Sequence, residues 1–291
     1  MERGRIGVTG ATGGLGGRVA RRLADHGVPQ RLLVRDAARA PDLEHAEVAT
    51  FGGYDDAEGV RRALHGIDTL FLVSAAEDRD RVALHRRMVD AVVAAGVGRI
   101  VYTSFVGAAP DCTFTFGRDH FHTEEHIKAT GVTHTFLRDN LYLDFVPLLC
   151  GADGVIRGPA GDGRVAAVAR DDIAEVATAV LTGDGHEDQT YDLTGPEAFT
   201  LAGAAEEIAR ASGRLVTFEN ETVEEAYASR RPSGAADFEI DGWVSTYTAI
   251  AAGELDAVSD CVERFVDRPP IGLAAWLRAN PESFRHLAHT E

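Results

Sequence analysis

The stretch VTGATGGLG, residues 8–16, concentrates glycines at the point where a short apolar run ends. Gly10, Gly13 and Gly16 have the spacing G-x-x-G-x-x-G. The first glycine would allow a tight turn, the second would let the backbone approach a pyrophosphate, and the third would let a helix pack closely on a strand. The free N–H groups and the positive end of that helix would then bind the phosphates. A glycine-rich turn without a ligand is the alternative.

This interpretation predicts a cofactor-binding loop after the first strand. The expected contacts of the loop are Gly10, Ala11, Thr12, Gly13, Gly14 and Leu15.

A basic residue follows the second apolar run. The run RLLV, residues 31–34, leads into Arg35, and Asp36 comes next. In dinucleotide-binding folds an acidic residue at this strand end binds the ribose 2′-hydroxyl of NAD, whereas a guanidinium can clamp the 2′-phosphate of NADP by a forked, charge-assisted pair. We therefore predict that Arg35 gives a preference for NADP(H), with NAD(H) bound through Asp36 as the alternative. No flavin and no metal are expected.

The elements that must position these residues alternate along the first half of the chain. Short apolar runs occur at residues 5–8, 31–34, 47–51, 69–73, 99–103 and 133–137, with helical patterns between them. Four glycines stand where helix C-caps belong: Gly27, Gly66, Gly96 and Gly131. Apolar strands that alternate with helices predict an α/β fold with a doubly wound parallel sheet, the Rossmann arrangement.

The pattern changes after residue 150. A turn-rich segment is followed by short strands and by helices, one of them with Thr200 as its expected N-cap. We predict a Rossmann domain over residues 1–150 and a smaller mixed α/β lobe over 151–291, with a segment near 165–195 that returns to the main sheet.

Two more strand ends should line the cofactor, because doubly wound sheets bind ligands at the carboxyl ends of their strands. The run that ends near residue 73 offers Val73, Ser74 and Ala75, expected beneath the adenosine ribose and the diphosphate. The run after residue 99 offers Thr103, Ser104 and Phe105, expected near the nicotinamide and the acceptor. The loop after the third run leaves the adenine to backbone groups or to Tyr54.

Composition limits the class of protein. The chain has 291 residues and a net charge of −17 at pH 7, which disfavours nucleic acids and anionic membranes as partners. No apolar run suggests a signal peptide or a membrane span. The three cysteines are far apart and lack a CxxC motif, which favours reduced thiols and a cytoplasmic location. A monomer or a homodimer is expected.

Long segments of the chain resemble a known family. They include LLVRDAARA, ALHGIDTLFLVSA, IVYTSFVGA, HFHTEEHIKATGVTHTFLRDNLYLDF and RPPIGLAAWL, together with TGATGGLG at residues 9–16. These motifs resemble the atypical, or extended, short-chain dehydrogenase/reductases. Within them the chain is similar to the NmrA-like group, above all to type 2 NAD(P)H:quinone oxidoreductases and triphenylmethane dye reductases. The resemblance implies that Arg35 binds a phosphate and that His120 faces the acceptor pocket.

The chain lacks the Y-x-x-x-K motif that most short-chain dehydrogenases use after the fifth strand. The tyrosine acid is then missing, and His120 is the one candidate catalytic residue. This absence disfavours reduction of a simple carbonyl, where a positioned proton donor matters. It suits hydride transfer to a flat acceptor that already stabilises negative charge, such as a quinone, or to a cationic dye. A dinucleotide-sensing regulator that acts through a protein partner is the alternative function.

The segment after the sixth run, RDNLYLDF, is predicted to form the acceptor pocket. Asn140, Leu141, Tyr142 and Phe145 should line it, and the two rings could stack on an aromatic small molecule. The alternative is that both rings are simple hydrophobic packing.

His122 and His126 have the i, i+4 spacing of a zinc-binding helix, but no motif supplies a third ligand. We therefore predict no metal site.

Overall fold

The computed structural model describes residues 5–287. Residues 1–4 of the predicted Rossmann domain and residues 288–291 of the predicted smaller lobe lie outside the described part. The strands are β1 (Ile6–Thr9), β2 (Gln30–Val34), β3 (Ala46–Thr50), β4 (Thr69–Leu72), β5 (Arg99–Phe105), β6 (Thr133–Asp139), β7 (Val155–Gly158), β8 (Arg164–Val165), β9 (Gln189–Leu193), β10 (Phe199–Thr200) and β11 (Thr217–Asn220).

The α-helices are α1 (Gly16–Asp25), α2 (Ala57–Ala63), α3 (Arg81–Ala94), α4 (Thr115–Thr130), α5 (Arg170–Thr182), α6 (Leu201–Ser212), α7 (Val223–Arg230), α8 (Asp237–Ala251), α9 (Cys261–Val266) and α10 (Leu273–Ala279). Short 3-10 helices cover Ala37–Arg39, Leu143–Phe145, Pro147–Leu149, Arg231–Ser233 and Pro281–Leu287.

The main sheet is built outward from β1 and β4. Its seven strands have the order β3-β2-β1-β4-β5-β6-β9, and β1 pairs in parallel with both β2 and β4. In this register Val8 lies opposite Leu32 on one side and opposite Phe71 on the other. The chain order reverses between β1 and β4, which is the switch point where such sheets bind ligands. The predicted Rossmann fold is confirmed.

The core explains why these segments are strands and helices. Val8, Leu32 and Leu70 are completely buried in the sheet, and Val19 and Leu23 are completely buried on one face of α1. A strand that is covered on both faces needs a nearly continuous apolar run, while each covering helix needs only one apolar stripe.

The predicted elements agree closely with the observed ones. The six apolar runs of the first half coincide with β1 to β6 to within two residues at each end. All four predicted C-cap glycines have left-handed φ angles, from 66° at Gly27 to 82° at Gly96. Thr200 is the N-cap of α6, where its hydroxyl accepts the N–H of Gly203 at 3.0 Å.

The described residues form two compact units. The sheet unit comprises residues 5–108, 119–138 and 170–192. The second unit comprises residues 109–118, 139–169 and 193–287. It contains the antiparallel pair β8–β10 and the parallel pair β7–β11, together with α6 to α10, so it has the mixed α/β character expected of the smaller lobe. The lobe boundary at residue 150 stays a prediction. Among the helices of residues 5–287, none is long and apolar enough to cross a membrane.

Candidate functional site

A groove of about 370 Å³ lies in the sheet unit, at the carboxyl ends of β1 to β4. Six residues of the predicted cofactor set line it: Gly10, Thr12, Arg35, Val73, Ser74 and Ala75. The structure therefore brings together the glycine loop and the ends of β2 and β4, which are far apart in the sequence.

Several residues outside the predicted cofactor set also line this groove. They are Phe51, Asp55, Glu77, Asp78 and Leu84, and the Tyr54 ring accompanies them. All of them follow β3 or β4 or lie in the first turn of α3. Extending the strand-end rule a few residues further along the chain would have found them.

The glycine loop has the geometry of a phosphate cradle. Gly10 has a left-handed φ of 63°, and a Cβ on Gly16 would collide with the backbone oxygen of Gly10. Thr12, Gly13 and Gly14 are exposed, so their backbone can be approached from solvent. No acidic residue lies in the first turn of α1, which is fully described, so the positive end of this helix is not neutralised there. The loop therefore fits a pyrophosphate.

Two other predicted loop contacts point into the protein. Ala11 is 3% exposed and Leu15 is 5% exposed, so their side chains belong to the core. Any contribution of these two residues to a cofactor would come from the backbone.

Arg35 and Asp36 differ in what they do at the end of β2. The Arg35 side chain is exposed and borders the groove. The Asp36 carboxylate accepts the backbone N–H of Ala38 at 3.0 Å and caps the 3-10 helix that follows. Arg35 is the one basic side chain among the described residues that line the groove.

Side chains from neighbouring strands hold the backbone at the end of β4. The Val73 N–H donates to the Thr9 hydroxyl and the Ser74 N–H donates to the Thr103 hydroxyl, each at 2.8 Å. The Tyr54 hydroxyl donates to the Val73 carbonyl, and burial raises the pKa of Tyr54 to about 12. Thr103 is therefore a support of the groove wall rather than part of its lining.

Both backbone groups of Ala75 are held from α3. Its N–H donates to Nε2 of His85 at 2.8 Å, and Nε of Arg81 donates to its carbonyl at 3.0 Å. The Thr123 hydroxyl uses its one proton to donate to the Asp119 carbonyl. In the hydrogen bond between Thr123 and Nδ1 of His85, the proton must therefore be on Nδ1, and the Thr123 oxygen accepts it. Burial lowers the pKa of His85 to about 3, which keeps this ring neutral. Sequence reasoning missed His85, since a histidine within a helical pattern reads as an ordinary surface residue.

Ser104 also faces the interior. Its hydroxyl donates to Glu124 at 2.6 Å. Glu124 in turn forms a bidentate salt bridge with Arg138, with distances of 2.8 and 2.6 Å. Ser104 is 3% exposed and does not line the groove. Its predicted contact with a nicotinamide stays a prediction.

His120 lies in a buried cluster of aromatic and charged groups. Its Nε2 accepts from Arg81 at 3.2 Å, its Nδ1 lies 2.9 Å from the Tyr102 hydroxyl, and Phe105 stacks on its ring at 6.3 Å. A guanidinium can only donate, so the ring proton must be on Nδ1, which donates to Tyr102. Burial, with Arg81, His85 and Arg138 nearby, lowers the pKa of His120 well below its usual value.

In the second unit, Asn140 is a structural residue. Its Nδ2 donates to the Leu255 carbonyl at 3.0 Å, and its Oδ1 accepts the N–H of Leu141 at 2.7 Å. Asn140 is 1% exposed. Its amide thus fixes the turn after β6, and Leu141 is half-buried beside it.

The rings of Tyr142 and Phe145 stack on one another, with centroids 5.7 Å apart and planes 21° apart. Phe145 is 46% exposed and Tyr142 is half-buried. The Tyr142 hydroxyl lies 3.0 Å from Oδ2 of Asp139, a carboxyl that is 1% exposed. The pair therefore presents an aromatic surface at the end of β6.

The two histidines of α4 with the i, i+4 spacing of a zinc-binding helix have different surroundings. His126 pairs with Asp90 at 2.8 Å, and His122 is exposed. Residues 5–287 contain no group of three or more potential metal ligands.

Comparison with known proteins identifies the family of this chain. A family described as NAD(P)H-binding matches residues 10–184. The NAD(P)H azoreductase of Xenophilus azovorans is 31% identical over 281 residues, 95% of this chain and 98% of that protein. Quinone oxidoreductase 2 of Escherichia coli (strain K12) is 31% identical over 288 residues, 97% of this chain and 98% of that protein.

The solved structures that resemble this chain include reductases of the same kind as its sequence relatives. The Escherichia coli quinone oxidoreductase complexed with NADPH superposes with a TM-score of 0.86, at 31% identity over 94% of this chain and 99% of that one. The Citrobacter sp. triphenylmethane reductase complexed with NADP(H) superposes with a TM-score of 0.82, at 29% identity over 94% of this chain and 99% of that one. The chain therefore belongs to the NAD(P)H-binding family, as a relative of quinone, azo and triphenylmethane dye reductases.

Proposed function

We propose that this protein is an NADPH-dependent reductase that transfers hydride to a quinone or a similar flat, electron-poor acceptor. The observation that carries the proposal is the state of His120. Its Nε2 is occupied by Arg81 and its Nδ1 proton is directed at Tyr102, so the ring is neutral and both nitrogens are engaged. A histidine in this state is a poor general acid, and the reaction should therefore be one that needs none.

The groove supports the use of a dinucleotide. Gly10, Thr12 and Gly13 would hold the pyrophosphate at the start of α1, and Arg35 would bind the 2′-phosphate that distinguishes NADPH from NADH. The Ser74–Ala75 backbone, held by Thr103 and His85, would pass beneath the sugar. When bound, the nicotinamide supplies the hydride.

The acceptor is inferred from what the protein does not provide. The tyrosine of β5, Tyr102, is fully buried and burial raises its pKa, so it is no substitute for the absent tyrosine acid. A quinone becomes an aromatic hydroquinone anion after hydride transfer, and solvent can protonate it. A cationic dye is neutralised directly. Both acceptors reduce the demand for a positioned proton donor.

The second unit offers a surface of the required type. Aromatic rings prefer offset-stacked partners, and the exposed Phe145 lies parallel to Tyr142. We propose that a flat acceptor stacks on this pair, which deepens the prediction that Tyr142 and Phe145 line the acceptor pocket.

The test is anaerobic NADPH oxidation with a panel of acceptors. Quinones, azo compounds and cationic triphenylmethane dyes should each be compared with simple aldehydes and ketones of similar size. We expect turnover with the first group and little with the second. Tight NADPH binding without oxidation by any acceptor would contradict the proposal and favour the dinucleotide-sensing regulator.

A further inference from the structure

Gly14 lies outside the G-x-x-G-x-x-G trio, yet a side chain has no room there. A Cβ built on Gly14 would lie 2.6 Å from Nη1 of Arg170, 3.2 Å from its Cζ and 3.5 Å from its Cδ. The Arg170 side chain therefore rests directly against the glycine loop. A glycine at position 14 makes space for the guanidinium.

The position of Arg170 is held by its neighbours in the sheet unit. Arg170 is the first residue of α5, and the next residue, Asp171, pairs with Arg18 at 3.1 Å and with Arg22 at 3.0 Å. Arg18 also donates to the Gly14 carbonyl at 2.7 Å. These contacts tie the start of α5 to α1 and to the loop, so the backbone that carries the Arg170 side chain is fixed beside the loop.

A positive group at the loop would favour the binding of an anionic ligand. The whole chain carries a net charge of −17, and Asp55, Glu77 and Asp78 line the groove. Arg18 and Arg22 bind Asp171, and Arg35 stands at the end of a different strand. Helix N–H groups alone supply only about half a unit charge. A guanidinium at the loop would add a full charge and a forked donor, which suits a phosphate.

We propose that Arg170 is a further cofactor-binding residue that clamps the pyrophosphate of the dinucleotide against the glycine loop. The inference rests on the proposed use of NADPH. Because NADH and NADPH share the pyrophosphate, Arg170 should strengthen the binding of both cofactors by the same factor. Arg35, in contrast, should act only on NADPH.

The experiment is calorimetric titration of the apo-protein with NADPH and with NADH. Replacing Arg170 with Gln should weaken both by about 10- to 100-fold, the scale of one hydrogen bond to a charged group. Arg170→Lys, which keeps the charge without the fork, should lose less. Inorganic pyrophosphate should compete with NADPH for the wild type and do so less well for Arg170→Gln.

Two further variants separate this role from general effects. Arg21→Gln removes the same charge from an exposed position on α1 and should leave both affinities unchanged. Gly14→Ala should displace the guanidinium and weaken both cofactors, while circular dichroism checks that the fold is kept.

Unchanged affinities in a folded Arg170→Gln protein would overturn the inference, as would a loss confined to NADPH. A wild-type protein that binds neither cofactor would instead contradict the proposed function itself. A loss in Arg21→Gln equal to that in Arg170→Gln would show a diffuse charge effect and also overturn the clamp.

Discussion

Arg81 and His120 form a buried hydrogen bond in which the guanidinium donates to Nε2 of the imidazole at 3.2 Å. Arg81 is 6% exposed, and so is His120. Since an arginine never accepts a hydrogen bond, this contact determines which ring nitrogen carries the proton. It also opposes a second proton, because imidazolium would face a guanidinium. Both ring nitrogens of His120 are therefore engaged within a buried polar cluster, its catalytic role stays a prediction, and the first test concerns its part in turnover.

With a quinone acceptor, His120→Gln should lower kcat by less than about 10-fold, whereas Tyr142→Ala should lower it by about 10-fold or more. Loss of the ring removes the surface on which the acceptor is expected to stack, and orientation can contribute several kcal/mol to the barrier. Tyr142→Phe, which keeps the ring, is the matched control and should stay near wild type. The pH profile of kcat should be shallow between about pH 6 and pH 8.

Stopped-flow measurement of NADPH oxidation checks these expectations. A His120→Gln protein with normal NADPH affinity but about 1,000-fold slower turnover would make His120 the proton donor and refute this picture.

The second prediction concerns the choice of cofactor. Arg35→Ala should weaken NADPH binding by about 1.5–3 kcal/mol, the scale of a hydrogen bond to a charged group, and leave NADH nearly unchanged. Arg61→Ala removes an exposed arginine from α2 and serves as the charge control. Fluorescence titration with both cofactors measures the effect. Equal losses for NADPH and NADH would rule out recognition of the 2′-phosphate by Arg35.

The third prediction separates two glycines of the same loop. A Cβ on Gly13 would approach only the Gly10 oxygen, at 3.2 Å, so Gly13→Val should fold and yet lose NADPH binding where its side chain meets the pyrophosphate. A Cβ on Gly16 would collide with the backbone of Gly10, so Gly16→Ala should lower Tm directly. Thermal unfolding and calorimetry distinguish the two effects. Normal NADPH affinity in a folded Gly13→Val protein would mean that the loop is only a turn.

The fourth prediction concerns stability in acid. His85 is buried and neutral with a pKa of about 3, whereas an unfolded histidine has a pKa of about 6.5. Below that value the unfolded chain binds a proton that the folded chain does not. The stability that neutral His85 contributes is therefore present above about pH 6.5 and is lost as pH falls toward 3, by up to about 1.4 kcal/mol per pH unit.

Urea unfolding between about pH 7 and pH 5 measures this slope. His85→Gln should be less stable at neutral pH, because its contacts are lost, but should depend less on pH than wild type. His26→Gln changes an exposed histidine at the end of α1 and should keep the wild-type slope. An unchanged slope in His85→Gln would show that His85 is not the titrating group.

The fifth prediction has the opposite sign. Asp139 is 1% exposed, its Oδ1 has no hydrogen-bond partner within residues 5–287, and burial raises its pKa well above the usual value despite the contact with Tyr142. The folded chain then keeps a proton that the unfolded chain releases above about pH 4. This contribution to stability is present below about pH 4 and is lost as pH rises.

Asp139→Asn should therefore gain stability relative to wild type as pH rises from about 4 to 8. Asp162→Asn, at an exposed position, should show no such trend. Denaturant unfolding over this range provides the comparison. A constant difference between Asp139→Asn and wild type would mean that the carboxyl is ionised in the folded protein.

Much of the framework follows from local patterns in the sequence. Apolar runs of four or five residues, separated by helical stripes and closed by C-cap glycines, predict the Rossmann sheet because each of these signals acts within a few residues. The glycine loop and Arg35 are predictable in the same way, since each of them directly follows the end of a strand in the sequence. Their meeting in one groove depends only on the parallel strand order.

The interior of the site depended on tertiary structure. The sequence predicts ligand contacts for Thr103, Ser104 and Asn140, and in the structure each of them forms hydrogen bonds within its own unit. Their types suit both roles, and only the fold decides which partners are in reach. Their predicted contacts with ligands remain predictions.

The sequence by itself determined the sheet, the phosphate loop and the basic residue at the end of β2, because adjacent residues carry those signals. Only the tertiary structure decided that His85 and His120 are neutral and that Arg170 rests on Gly14. These are contacts between α3, α4, α5 and the strand ends, which lie far apart in the chain. Protonation and side-chain position depend on which groups the folded sheet brings within about 3 Å of one another, and no local pattern records that distance.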